Sequence, residues 1–436
     1  MTFPLVVGSA TGILVFISVI AKPFVNIGKM RLGTYWIISL AGAVLILLSG
    51  TLPVDRLLSE LFSDSAVNPV KILILFFSMT SMSVFLDEVG FFRHLAVLAL
   101  RRTGKSQYAL FISLYAVVSV LTVFTSNDII VLTFTPFICF FAKNARINPM
   151  PYLMAEFVAS NTWSMFLIIG NPTNIYLATS AGIDFLRYMM LMALPTLAAG
   201  IVSFVILLLI FRKSLSEKMQ PSDAEDKIED KPALFIGVVC LTCCTLLLAV
   251  SSYIGFEMYL ICAVFAILLF LSASLVSVAR KKHLTAEENT FKRLPYELIF
   301  FVISMFVIVL ALNTSGATEK IASFLSGGDT VFKIGISSFF ASNIINNIPM
   351  SVLFSSILKS GAFTGAQYSA GVLAAVVGSN IGAYFTPVGA LAGIMWSSAL
   401  KRAGVEFSFR KFVMYGTLIA LPTLLTALAC LHIVAL

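Results

Sequence analysis

Four groups of small polar residues interrupt otherwise apolar sequence, and they are the residues most able to do chemistry. They are Thr125-Ser126-Asn127-Asp128; Ser160-Asn161-Thr162 followed by Gly170-Asn171-Pro172-Thr173-Asn174; Ser342-Asn343 followed by Asn346-Asn347-Ile348-Pro349; and Gly378-Ser379-Asn380 followed by Thr386-Pro387-Val388-Gly389. Glycine and proline at such points break a helix and expose unpaired N–H groups with a positive dipole end, alongside unpaired carbonyls with a negative one. Carbonyl, hydroxyl and amide oxygens can ligate a sodium ion, whereas helix N-termini and amide N–H groups can receive an oxyanion or a hydroxylated neutral solute. Side chains without charge keep both the empty and the filled site affordable. The one acid in these groups is Asp128. A buried carboxylate must be protonated, paired or cation-bound, so it either takes up and releases a proton, which could couple the site to a proton gradient, or caps the helix that follows it.

Other chemistry finds little support. His94, His283 and His432 are scattered, and the six cysteines all lie in apolar stretches, so neither a metal constellation nor a disulfide framework is indicated. Cys240, Cys243 and Cys244 share a helical face that could attract a soft ion, but they stand outside the broken segments and read as packing residues. Glu156 lies near the start of its span, and Asp87-Glu88 near a span end. No Gly-rich phosphate loop, nucleophile or paired-acid cluster is present, which argues against an enzyme and for a gradient as the energy source.

The polar groups must be held by elements that live in lipid. Of 436 residues, 59% are apolar and 11% charged, and the mean hydropathy is +0.99. Soluble chains carry charge on roughly a quarter of their residues. Apolar stretches lie near 4–21, 32–50, 70–90, 107–142, 152–180, 187–211, 233–252, 255–279, 296–312, 331–359, 368–400 and 412–435. The first has no basic residue before it and reads as a retained span, not a signal peptide.

Basic residues flank both ends of 107–142, so this stretch enters and returns on the cytoplasmic side as a re-entrant hairpin with Ser126, Asn127 and Asp128 at its tip. Each arm, at 14 to 18 residues, is roughly 21 to 27 Å of helix, enough to pass the midplane. Carrying the rule along the chain gives ten spans and two hairpins with both termini outside. The cytoplasmic loops 22–31, 93–105, 143–147, 212–232, 279–295 and 401–411 then hold 23 of the 29 Lys and Arg, which accounts for the net charge of +8 without a nucleic-acid partner. Residues 212–232 form a hydrophilic linker near the middle.

The halves on either side of that linker resemble each other. Phe124-Thr125-Ser126-Asn127 matches Phe340-Ala341-Ser342-Asn343, Ala159-Ser160-Asn161 matches Gly378-Ser379-Asn380, Pro172 matches Pro387, and Leu194-Pro195-Thr196 matches Leu421-Pro422-Thr423, at offsets of 215 to 227 residues. Five crossings and one hairpin per half turn the second copy upside down, giving an inverted repeat (1–211 and 233–436) of the kind that builds secondary transporters. Four breaks in two matched pairs are more than kinks or interhelical hydrogen bonds require.

These motifs resemble the ion transporter superfamily, and within it the arsenite efflux permease and sodium/proton antiporter branch, related to citrate and dicarboxylate transporters. The resemblance covers nearly all of 70–436, and the tail from Gly378 through Thr386-Pro387-Val388-Gly389-Ala390-Leu391 to Leu421-Pro422-Thr423 is most like arsenite permeases. It implies scaffold helices in 1–50 and 233–279, transport cores in 70–211 and 296–436, a homodimer, elevator-type motion and a bacterial or archaeal plasma membrane. Carried over residue by residue, the site is Ser126, Asn127, Asp128, Ser160, Asn161, Thr162, Asn171, Thr173, Ser342, Asn343, Asn346, Asn347, Ser379, Asn380 and Thr386, with helix breaks at Gly170, Pro172, Pro349, Gly378, Pro387 and Gly389.

Sodium-coupled carboxylate carriers show Ser-Asn-Thr at both hairpin tips, whereas the tips here read Ser126-Asn127-Asp128 and Ser342-Asn343-Ile344. The expectation is therefore a gradient-coupled carrier of a small inorganic oxyanion or neutral hydroxide such as arsenite or antimonite, with a proton or sodium as coupling ion and no cofactor. Sodium/proton exchange, or sodium-coupled carboxylate or sulfate symport, is the alternative. A channel would need a continuous wet path.

Overall fold

The computed structural model describes residues 2–22, 24–27, 30–63, 68–101, 106–219, 230–281, 283–360, 362–363 and 365–436. The first half contains α1 (Phe3–Ala21), strands β1 (Phe24–Ile27) and β2 (Met30–Gly33), α2 (Thr34–Leu48), α3 (Val54–Leu61), α4 (Pro69–Glu88), α5 (Phe91–Arg101), α6 (Gln107–Phe124), α7 (Asn127–Ala145), α8 (Met150–Trp163), α9 (Pro172–Ser180) and α10 (Phe185–Leu215). The second contains α11 (Lys231–Ala249), α12 (Ser251–Ile254), α13 (Met258–Ala279), α14 (Thr285–Arg293), α15 (Glu297–Thr314), α16 (Ala317–Leu325), α17 (Thr330–Ile345), α18 (Asn347–Lys359), α19 (Gly365–Gly382), α20 (Leu391–Arg402) and α21 (Phe409–Ala435). The antiparallel hairpin β1–β2 falls in a segment expected to be a plain loop, so the chain is nearly all-helical and not all-α.

Eight helices among the described residues are long and apolar enough to cross a membrane, and α6 and α7 are two of them. Many large apolar side chains on α1, α10, α11, α13 and α21 face outward, as lipid-facing helices require. Helix starts are set locally. Asn68, Asp184, Asp230, Asp329 and Ser408 each accept a backbone N–H of the turn they open, and Pro69 and Pro172 stand where a missing N–H costs nothing.

After the linker, apart from the β1–β2 hairpin in the first half and the short α12 in the second, the element types recur in order: two long helices, a short amphipathic one, a long one, another short one, a helical hairpin, a broken pair and a final long helix. Contacts recur too. Helix α2 packs on α15 as its counterpart α13 packs on α4, α9 packs on α18 as α20 packs on α7, and α10 packs on α21. Polar contacts fix several directions. Lys71 at the start of α4 pairs with Glu257 beside the start of α13 at 2.8 Å, while Arg293 of α14 pairs with Asp87 at 2.7 Å and with Glu88 at the end of α4. Helices α4 and α13 therefore run parallel, and Asp87-Glu88 is tied up at a helix end. At the start of α2, Tyr35 donates its hydroxyl to Glu297 Oε2 at 3.0 Å, at the start of α15. Phe211, near the end of α10, meets Tyr415, near the start of α21, with ring centroids 5.3 Å apart, so these two counterparts run antiparallel.

Candidate substrate and ion site

Each of the four interrupted stretches contains a break, but several residues expected to form it lie within helices. The first hairpin turns at Thr125-Ser126 between α6 and α7. The second turns at Asn346 alone, so Ser342 and Asn343 lie in the last turns of α17 and are not part of the break. Ser160, Asn161 and Thr162 likewise stay inside α8, and Gly378, Ser379 and Asn380 inside α19. The reason is local hydrogen bonding. Asn161 Nδ2 donates to Phe157 O, Asn343 Nδ2 to Phe339 O and Asn380 Nδ2 to Val376 O, each four residues back, so these side chains bond to their own helix without unwinding it. The chain unwinds only at 164–171, through a short turn Ile168–Gly170, and at 383–390.

Gly378 is a packing glycine instead of a break. A Cβ there would run into Ser338 Oγ and the Gly335 carbonyl, so α17 and α19 can touch only because it is glycine. Pro349 sits in the first turn of α18, Pro172 opens α9, and Pro387 lies in the 383–390 break with Gly389; Gly170 closes against the Ser164 carbonyl.

The polar side chains form two clusters of contacts, one at each tip, which share α19 through Asn380 in the first and Gly382 in the second. At the first tip, Asn127 Nδ2 donates to Asn161 Oδ1 at 2.9 Å, and Ser126 stands beside Asn127. Ser164 Oγ lies within bonding distance of both Asn161 O (2.8 Å) and Asn380 Oδ1 (2.9 Å). Asn380 then joins the halves: its Oδ1 also accepts from Asn171 Nδ2 at 2.9 Å, and its Nδ2 donates to Asn174 Oδ1 at 2.7 Å. Beside it, Ser379 donates to Thr173 Oγ1 at 2.9 Å, and Asn171 caps α9 by accepting from Thr173 N–H. Thr162 donates to the Tyr384 hydroxyl at 3.2 Å.

At the second tip, Asn343 Nδ2 donates to Gly382 O at 3.1 Å and its Oδ1 accepts from Thr386 at 2.6 Å. Ser342 bonds to Phe339 O. Asn346 Nδ2 donates to Val388 O at 3.1 Å, and Asn347 N–H donates to Gly389 O at 3.1 Å.

All of the carried-over site residues except Asp128 and Thr386 are buried. Four helix N-termini (α7, α9, α18, α20) and four C-termini (α6, α8, α17, α19) adjoin the unwound segments, so both dipole signs are available. Asn346 adopts φ +71 and ψ 155, a region that side chains avoid, and its own amide bonds hold it there. The buried Asn347 Oδ1 receives no hydrogen bond from the described residues, leaving an oxygen able to accept from a hydroxyl or ligate a cation. Asp128 is half-buried in the first turn of α7, and its carboxylate makes no hydrogen bond among the described residues, so it does not cap the helix. The N-cap position belongs to Ser126.

Sequence reasoning left Ser164, Asn174 and Tyr384 out of the site. Asn174 stands inside a motif already singled out, and Ser164 follows Asn161 by less than one turn, so spacing could have found both. Tyr384 gave no signal.

A nearly all-helical fold in lipid, with broken helices whose polar residues meet across its two halves, defines a membrane transporter. Residues 30–368, well over half the chain, match the profile of the citrate transporter family, CitMHS, and the chain belongs to that family. It is 26% identical over 420 residues to an arsenical pump membrane protein of Escherichia coli, covering 92% of this chain and 93% of the relative. It is 25% identical over 371 residues to the arsenical pump membrane protein of Yersinia enterocolitica, covering 82% and 84%. A 46 kDa membrane protein of Mycobacterium leprae is 25% identical over 408 residues, covering 91% and 92%. The crystal structure of the Alcanivorax borkumensis YdaH transporter shares the fold, with TM-score 0.53 and 14% identity over 99% of this chain and 98% of that one.

Proposed function

We propose that this transporter is a gradient-driven carrier of a small inorganic oxyanion or its neutral hydroxide, with arsenite or antimonite as cargo, working by elevator-type alternating access. The observation that carries the reading is the make-up of this polar network, gathered in two clusters on either side of α19. Its side chains are uncharged amides and hydroxyls, and neither a lysine nor an arginine takes part among the described residues. Arsenous acid is an uncharged trihydroxide at neutral pH, which such donors and acceptors match. The arsenical pump relatives, aligned over most of the chain, support the same cargo.

The repeat is read as inverted, in line with the antiparallel counterparts α10 and α21. Basic loops put both termini outside. The scaffold comprises 1–50 and 233–279, and the moving cores lie in 70–211 and 296–436. Two copies make a dimer, and the linker 212–232, whose residues 220–229 lie outside the described ones, tethers the halves. Asp128 takes the coupling proton; Asn347 Oδ1 is the best-placed oxygen for a sodium ion.

The family match favours a second reading, sodium-coupled symport of a carboxylate or sulfate, or sodium/proton exchange. Against a multiply charged cargo stands the absence of a cationic side chain in the network. Purified protein in liposomes separates these readings. Saturable arsenite or antimonite flux that follows an imposed proton or sodium gradient supports the first, citrate or sulfate flux the second, and non-saturating conductance refutes both.

A further inference from the structure

The core holds one more carboxylate that the network does not use. Glu156 of α8 is fully buried, with 0% exposure. Among the described residues its hydrogen-bond donor is the Thr135 hydroxyl of α7, 3.3 and 3.4 Å from its two oxygens. No lysine, arginine or histidine among the described residues pairs with it. On the helices packed against α8, the Cys139 thiol of α7 lies close enough to interact electrostatically with Glu156. Tyr115 of α6 is committed to Gly200 O and Ser203, while Lys143 of α7 and Arg187, Arg212 and Lys213 of α10 are exposed near helix ends. On α20, Lys401 and Arg402 are exposed as well.

On its other side Glu156 meets Trp396 of α20, whose indole N–H lies beside the carboxyl without closing a hydrogen bond to any acceptor. Trp396 also lines a cavity of about 1000 Å³ that includes Ser397, Ser398, Lys401, Arg402 and Glu406 and reaches inward to Pro387 and Val388 of the second break. One aromatic side chain thus stands between a cavity with polar lining at the second break and an acid with no counter-charge among the described residues.

A carboxylate in such surroundings is costly as an anion and keeps its place in lipid only with a function or a partner. Gln or Leu would fill the volume without the cost. We propose that Glu156 is a proton-binding site of the core, loaded and emptied from this cavity past Trp396, so that cargo exchange from that side depends on its protonation. In loading, a hydronium ion in the cavity transfers its proton to a carboxylate oxygen and leaves as water; the acid O–H then donates to the Thr135 hydroxyl oxygen. Emptying is the reverse step. The basic loop at Lys401 assigns the cavity to the cytoplasmic side.

The role in exchange rests on the carrier reading, whereas the proton site does not, and two measurements keep them apart. Infrared difference spectra of the purified full chain, titrated with acid, are expected to show a carboxylic-acid carbonyl band that grows as pH falls. That band persists in Asp128→Asn, disappears in Glu156→Gln and reappears at a shifted frequency in Glu156→Asp. A band unchanged in Glu156→Gln, or a Glu156 band that never changes while the protein stays folded, overturns the proposal. In liposomes, Glu156→Gln is expected to lose the dependence of cargo flux on cavity-side pH. An unchanged dependence overturns the role in exchange, and wild-type protein without cargo flux overturns the carrier reading while leaving the infrared result standing.

Discussion

Asn380 is the residue whose removal the structure prices most directly. In Asn380→Ala, Asn171 Nδ2 and Asn174 Oδ1 each lose their partner across the interface between the halves, while Ser164 keeps Asn161 O and Asn171 Oδ1 keeps Thr173. Two buried polar groups are thus left unpaired. At about 1–3 kcal/mol each, the expected loss is about 2–6 kcal/mol. Unfolding of the purified protein by sodium dodecyl sulfate, followed by circular dichroism, measures it. The same reasoning fixes the double variants: Asn380→Ala with Asn174→Ala should be less destabilised than the sum of the singles by about 0.5–3 kcal/mol, because the pair is lost once and not twice. If Asn380→Ala unfolds within about 0.5 kcal/mol of wild type, or shows no coupling to Asn174, the contact across the halves is not what holds the broken helices together.

Asp128→Asn is expected to express normally and to lose pH-dependent coupling in a liposome uptake assay at two external pH values; an unchanged pH dependence removes Asp128 from the coupling role. Gly389→Ala puts a methyl group against the Gly382 carbonyl and 2.8 Å from Asn343 Oδ1, an overpacking cost of about 1–3 kcal/mol, read as a lower unfolding midpoint together with lost flux. In a background without native cysteines, a membrane-impermeant maleimide added outside should label Cys at Lys320, reach Cys at Lys401 only after permeabilisation, and leave Cys at Asn127 and Asn346 unlabelled. Rapid external labelling of both tips would place them in outer aqueous loops and end the carrier reading.

Much of this was legible because lipid is a demanding solvent. Long apolar runs must be helical, and polar interruptions such as Asn171-Pro172 must be answered by other protein groups, so a transporter fold and the meeting of motifs from both halves could be read without coordinates. The extent of each break could not be read that way. Asn161, Asn343 and Asn380 look like helix breakers in sequence, yet each donates to the carbonyl four residues back and leaves its helix whole. Whether an amide bonds to its own helix or to a neighbour depends on what packs against it, and a single sequence holds no record of that. The match between the hairpins misled for the same reason. Ser126-Asn127 aligns by sequence with Ser342-Asn343, but the second chain turns later, so the residue that takes Ser126's place before the returning arm is Asn346.

That displacement has a physical consequence. Asn346 holds its strained backbone, at about 1–3 kcal/mol, through a side-chain bond to Val388 O, and the next residue bonds through its N–H to Gly389 O. Both acceptors belong to the unwound segment between α19 and α20, so the shape of the hairpin tip and the shape of the break are not independent. Asn347 Oδ1, one residue on, is buried and still lacks a donor, a deficit of about 1–3 kcal/mol. A hydroxyl or a cation meeting that oxygen would remove the deficit and would bear on the tip at the point where its backbone is strained. The strained turn, its two carbonyl partners and the unpaired oxygen thus adjoin one another, so a ligand at that oxygen would act on the turn and the break together.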